Sequence, residues 1–241
     1  MNHARRAAVY CLGMVLLALG IVLNTKTALG VSPLVAIAFC VSELRGISFG
    51  NTALAAYLVY FILEAILKRK ALRAFDFLQI PFCYLFTRCM NLFSAALPSP
   101  ESLALRLVML VLAILCTGFG AAIMVAMRLI PNPADGLVQA LGEAMGKSMG
   151  FAKNLFDAVS VAITAVIGFA AAGKLVGIGA GTVCAMLGTG RAVALCSRLF
   201  GARLERVRAA APIPWLGEGA ADGVDITCET APHYLALCDE D

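Results

Sequence analysis

Residues 20–50 read GIVLNTKTALGVSPLVAIAFCVSELRGISFG, and residues 120–150 read GAAIMVAMRLIPNPADGLVQALGEAMGKSMG. The two align without a gap at an offset of 100. Seven positions are identical: Gly20/Gly120, Leu29/Leu129, Pro33/Pro133, Glu43/Glu143, Gly46/Gly146, Ser48/Ser148 and Gly50/Gly150. Roughly two or three coincidences are expected in so biased a composition, so this is an internal repeat. Each copy holds a short apolar stretch, residues 33–44 and 133–145, bounded by turn residues. Twelve or thirteen helical residues reach only about 18–20 Å, whereas a bilayer core is about 30 Å thick. Both stretches therefore read as half-helices that enter a membrane without crossing it.

The rest of the chain makes the membrane the expected solvent. Of 241 residues, 61% are apolar and 14% charged, and mean hydropathy is +0.89. Soluble domains sit near half apolar and a quarter charged, and a globule of this length cannot hide the excess. Six further segments, 8–27, 51–67, 75–96, 104–127, 151–172 and 176–198, approach the roughly 20 residues a span requires. The first follows Asn2-His3-Ala4-Arg5-Arg6 and has a signal-peptide look. More spans follow it without a convincing cleavage site, so an uncleaved helix is expected.

Charge placement decides the topology. With six spans and two half-helices, Arg5, Arg6, the basic turn 68–73, Arg128, Lys147, Lys153 and the run Arg198, Arg203, Arg206, Arg208 share one face. The turn Pro98-Ser99-Pro100-Glu101 lies on the other, where Lys174 stands alone among the turn cations. The positive-inside rule then puts both termini in the cytoplasm of a bacterial cell, as a multi-pass protein of its plasma membrane. If the half-helices crossed, the 68–73 cluster would be translocated. Each half reads span, half-helix, span, span. Three spans is an odd number, so the second half enters from the opposite side. The expected fold is thus all-α, a polytopic membrane helix bundle with an inverted 3+3 repeat. Its parts are a first repeat at 1–100, a second at 101–208 and an acidic tail at 209–241.

Inverted repeats with broken helices place solute sites at the repeat interface. The candidates are Asn24, Thr25, Lys26, Ser32 and Pro33 in the first motif, and Arg128, Asn132, Pro133 and Asp135 in the second. Ser32-Pro33 and Asn132-Pro133 each pair a capping residue with proline at the first helical position. A helix N-terminus offers free N–H groups and partial positive charge, and Lys26 and Arg128 add full charges. An anionic or carboxylate-bearing small solute is the expected ligand. Two plainer roles stay open: snorkelling for Lys26 and Arg128, and backbone capping for Asn24, Thr25 and Ser32. Asp157 is a candidate coupling-ion site or a local partner of Lys153, four residues earlier. Glu64 reads as a local partner of Lys68. Arg88 and Arg191, in apolar surroundings, are expected to face the bundle interior or a partner. The shared Glu-x-x-Gly-x-Ser-x-Gly at 43–50 and 143–150 reads as a turn.

"LGIVLNTKTALGVSP", "GISFGNTA" and "GKSMGFAKNLFD" resemble motifs of the YczE/YyaS/YitT group of small bacterial membrane proteins, nearest the YczE-like branch. The resemblance covers about residues 8–200. It implies this membrane fold and a transporter-like role, without a substrate. One departure is that Leu129 precedes Ile130-Pro131 where such proteins often keep glycine, which bears on the shape of the second re-entrant turn.

Residues 209–241 carry seven acids, Glu218, Asp222, Asp225, Glu229, Asp239, Glu240 and Asp241, and no Lys or Arg. "GVDITCETAPHYLALCDED" resembles a fragment of a dihydroorotase-like amidohydrolase, which implies a metal ligand at His233. The other ligands and the barrel are absent, and Cys228, His233 and Cys238 alone do not make a zinc site. An unstructured tail is expected. Seven of the nine cysteines lie in apolar runs without CxxC spacing and read as small hydrophobes.

No nucleotide-binding loop, catalytic cluster or metal cluster is evident, so no cofactor and no enzymatic activity are expected. The basic residues cluster at segment ends rather than along a nucleic-acid face. The expected partners are the lipid bilayer and a small solute. A secondary transporter or permease is the leading reading, beside a non-transporting membrane helper protein. A channel is the third: Asn132-Pro133-Ala134 has the aquaporin signature, but each half-helix here follows the first span of its half.

Overall fold

Pro33 and Pro133 each begin a 13-residue helix, Pro33–Arg45 (α2) and Pro133–Met145 (α6). Both stop at a glycine in the left-handed region, Gly46 at φ 64° and Gly146 at φ 62°. A side chain is costly in that conformation, so glycine ends the helix cheaply. Ser48 and Ser148 then begin the next helices, Phe49–Lys68 (α3) and Met149–Ala172 (α7). The shared Glu-x-x-Gly-x-Ser-x-Gly is thus a helix stop, a turn and a helix start.

The computed structural model describes residues 2–69 and 72–211. The remaining helices are Asn2–Lys26 (α1), Gln79–Ala96 (α4), Leu103–Met127 (α5) and Ala180–Ala209 (α8), with a 3-10 turn at Ala74–Leu78. Among the described residues there is no strand. Helices α1, α3, α5, α7 and α8 are long and apolar enough to cross a membrane. Many of their large apolar side chains face outward, such as Leu112 on α5, Val166 on α7 and Leu187 on α8. That exposure fits lipid and is unfavourable in water. The chain is therefore built as a helical membrane protein.

The expected third span, 75–96, is divided. Its first residues form the 3-10 turn, and α4 keeps 18 residues that include Gln79, Thr87, Arg88 and Asn91. It is not among the five long apolar helices. The sixth segment runs past 198 to Ala209, because charged residues in its last turns still form helix. Ala209 closes α8, and the carbonyls of Ala210 and Ala211 accept bonds from Asn2 and Arg6 at 2.9 and 2.7 Å. The remaining tail, with Cys228, His233 and Cys238, lies outside the described residues.

Helices α1 and α5 form the central pair. A Cβ on Gly20 would collide with the amide nitrogen of Thr117, and one on Gly120 with that of Leu17. A Cβ on Gly13 would meet Ile123 at 2.9 Å. Residue numbers rise along α1 as they fall along α5, so the two helices run antiparallel in close contact. The pairing is also reciprocal: 20 meets 117, and 120 meets 17. Reciprocity extends outward, since α2 packs on α7 while α6 packs on α3.

The helix ends sort into two groups. At one end, Arg6 donates to the carbonyls of Met127 (2.6 Å) and Arg128 (3.3 Å). At the other, Val31 N–H donates to Gly177 O and Gly181 N–H to Leu29 O, both at 2.8 Å. We refer to these as the Arg6 end and the Lys26 end.

Candidate functional site

Tyr57 and Tyr60 lie near the middle of α3, and both half-helices start beside them. The Tyr60 hydroxyl reaches the carbonyl of Leu34, in the first turn of α2, at 3.5 Å. The Tyr57 hydroxyl lies toward Asn132, the N-cap of α6, but closes no hydrogen bond. From there the half-helices diverge. α2 runs toward the Lys26 end, where Phe39 meets Phe49 edge-on at 5.9 Å. α6 runs toward the Arg6 end, where Gly136 lies against Glu64, one turn before Lys68. The bundle thus holds two helix N-termini at mid-depth, separated by tyrosines.

The two N-termini differ in their capping. Asn132 Oδ1 accepts the Ala134 N–H at 3.2 Å, and Asp135 adds a carboxylate in the first turn. The positive end of α6 is therefore already answered from within. Ser32 makes no side-chain cap bond on α2, so that N-terminus keeps more of its capacity for an external acceptor. Pro33 and Pro133 are both buried.

A charged group closes the cluster. Lys153 on α7 sits 3.6 Å from Asp157, whose side chain is 6% exposed, and its charge also acts on Asp135. Lys153 and Asp157 thus lie on α7 beside Phe156, on which Tyr60 packs at 5.3 Å, within electrostatic reach of Asp135 on α6. The local Lys153–Asp157 pair read from the sequence is present. It is also part of this wider group.

Thr25 and Lys26 belong to a different place. They line a cleft of about 660 Å³ at the Lys26 end, together with Arg106, Lys174, Glu43 and the loop residues Gly30 and Val31. The cleft thus leads to the residue before Ser32. Thr25 Oγ1 bonds Val22 O at 2.7 Å, the capping role held open for it, whereas buried Asn24 leaves its Oδ1 without a partner. Lys174 does not stand alone at this end, because Lys26 and Arg106 join it.

Arg128 sits at the opposite end. It caps α5 in the left-handed region at φ 44°, as Ala28 does after α1 at φ 54°. Lys26 and Arg128 therefore do not flank one site: the antiparallel α1–α5 pair separates them by its whole length. The turns that lead into α2 and α6 also differ. Gly30 adopts φ 116° against Gly179 and Thr182, whereas Ile130 offers its carbonyl to the Tyr10 hydroxyl at 2.8 Å. Arg88 faces a partner, the second alternative read for it: it donates to Asn51 of α3 and stacks on Tyr84 at 5.2 Å. Arg191 is exposed on α8.

Sequence reading missed Tyr57 and Tyr60, which sit in an unbroken apolar run, and passed over Arg106. The identity Arg6/Arg106 was a usable signal. Arg106 Nε donates to Pro100 O at 3.1 Å, so both arginines fasten a loop to a helix start.

Residues 4–198 match a family of unknown function (DUF6198). No curated protein matches the chain, and no solved structure does.

Proposed function

Since the chain belongs to this family of unknown function, its own geometry must carry the reading, and we propose a secondary transporter or permease for a small anionic or carboxylate-bearing solute. The observation that carries it is the pair of half-helices that start at mid-depth beside Tyr57 and Tyr60 and diverge to opposite ends. Helix N-termini inside a bundle supply backbone donors where lipid supplies none. In this reading the cleft at the Lys26 end collects the solute. Lys26, Arg106 and Lys174 outnumber Glu43 there, which favours an anion. The uncapped start of α2 is the next station, and Asp157 is a candidate ion site.

The reciprocal, antiparallel α1–α5 contact supports an inverted repeat, because two equivalent helices related this way need an axis across them. With α4 as the sixth span, each repeat crosses three times. The arginine-rich Arg6 end is then cytoplasmic, and with it both termini of a plasma-membrane protein. The motif likeness to the YczE/YyaS/YitT group points the same way.

Counterflow in proteoliposomes, with a panel of small organic acids and amino acids, tests the reading. Saturable exchange that Lys26→Gln weakens at least tenfold is the expected result. Unsaturable flux indicates a channel, and no flux from a well-folded protein indicates a helper; either removes the carrier.

A further inference from the structure

Glu64 is fully buried on α3. Lys68 Nζ lies 2.6 Å from its Oε1, and Gln79 Nε2 of α4 donates to the same oxygen at 3.3 Å. Its second oxygen, Oε2, has no hydrogen-bond partner, and neither has Oε1 of buried Gln79. That bare Oε2 is turned toward the half-helix: a Cβ on Gly136 would collide with it. A buried carboxylate oxygen without a donor is costly, and here it sits where α6 leans on α3. Asp76, in the 3-10 turn, lies 3.8 Å from the same Lys68. Lys68 therefore stands between two carboxylates, one fully buried and one 13% exposed.

We propose that Glu64 is a proton-binding site whose loading loosens the contact between α3 and the half-helix α6. A proton from water at the Arg6 end adds to Oε2, forming an O–H bond. Lys68 keeps its own proton, leaves Oε1 and moves to Asp76. The three groups go from a net charge of −1 to 0, and the new hydroxyl gives the buried site the donor it lacks. A metal ion suits the site less, because the Lys68 ammonium already occupies its charged side. Among the described residues, the groups that face Glu64 are Lys68 from its own helix, Asp76 from the turn and Gln79 from α4. From α6 it is Gly136, which carries no side chain, that lies against the Glu64 carboxylate. The proton would serve as the coupling ion of the carrier, and only that last step rests on the proposed function.

Infrared difference spectra of the full chain in lipid nanodiscs, taken between alkaline and acid pH, test the site with the proton itself as probe. A protonated-carboxyl band is expected in the unaltered protein and in Asp157→Asn, and is lost in Glu64→Gln. Asp76→Asn, which leaves Lys68 to Glu64 alone, shifts the band's midpoint to lower pH by about one unit. Hydrogen exchange over residues 133–145 rises on acidification in the unaltered protein and is independent of pH in Glu64→Gln. A band retained in Glu64→Gln, a midpoint unmoved or raised in Asp76→Asn, or unchanged pH dependence of exchange in Glu64→Gln overturns the proposal. Failure to find solute flux while the Glu64 band persists removes the carrier reading and leaves the proton site standing.

Discussion

Gly120 faces backbone alone, and Gly20 faces the Thr117 amide and Ala113 carbonyl as well as the Thr117 hydroxyl, so backbone opposite each of them cannot rotate away. Enlarging either one forces α1 and α5 apart. Gly20→Val and Gly120→Val are each expected to destabilise the protein by about 1–3 kcal/mol, read as comparable falls in thermal unfolding temperature in detergent. Gly150→Ala, with open space around it, is the control. A Gly20 variant as stable as that control would show that the close crossing is absent. Arg6 is the second residue of this kind. It is 5% exposed and satisfies three carbonyls. Arg6→Ala strands them and is expected to cost about 2 kcal/mol or more in the same assay.

At the level of the element, the bounds of the 13-residue helices α2 and α6 were legible almost to the residue. Proline fixes where each starts and glycine where each stops, and both act through the backbone alone. The long helices were less legible, because an apolar run marks where lipid is and not where the helix ends. α1 starts at Asn2 and α8 continues to Ala209, since charged residues make good helix once clear of the hydrocarbon. The start of α4 was less legible for the opposite reason: Phe77 and Leu78 are apolar like the residues after them, yet they lie in the 3-10 turn Ala74–Leu78, and the helix begins at Gln79. Which half-helix start is capped was not legible at all, because Ser32 and Asn132 are both good capping residues by type. The difference is measurable. Asn132→Ala is expected to cost about 1 kcal/mol and to speed hydrogen exchange in the first turn of α6. Ser32→Ala should leave the first turn of α2 unchanged, and equal effects would contradict the geometry.

For the whole molecule, the repeat in the sequence announced two related halves, and the reciprocal packing of α2 on α7 and α6 on α3 is how they meet. The sequence could not bring Asp135 within reach of Lys153 and Asp157, because that depends on which helix each half-helix crosses. The topology read from charge already left Lys26, at the far end of the first span, on the face opposite Arg128, and the antiparallel α1–α5 pair keeps them at opposite ends. That separation gives a topology test. In a cysteine-free background, Lys174→Cys and Ser99→Cys are expected to react with an impermeant maleimide added outside intact cells. Lys147→Cys should react only after the membrane is opened. Labelling of Lys147→Cys from outside would invert the assigned orientation.

Arg6 also sets a schedule for synthesis. Its partners lie 121 residues away at Met127 and 205 residues away at Ala211. When the ribosome releases the first helix, none of these carbonyls exists yet, and the guanidinium has only water and lipid headgroups for company. Half the chain must be inserted before Met127 arrives, and α8 must be complete before Ala211 does. α1 is thus made well before the carbonyls that hold its Arg6. A cell that surveys newly inserted helices for an unsatisfied charge would find in Arg6 a mark that persists until α8 is in place.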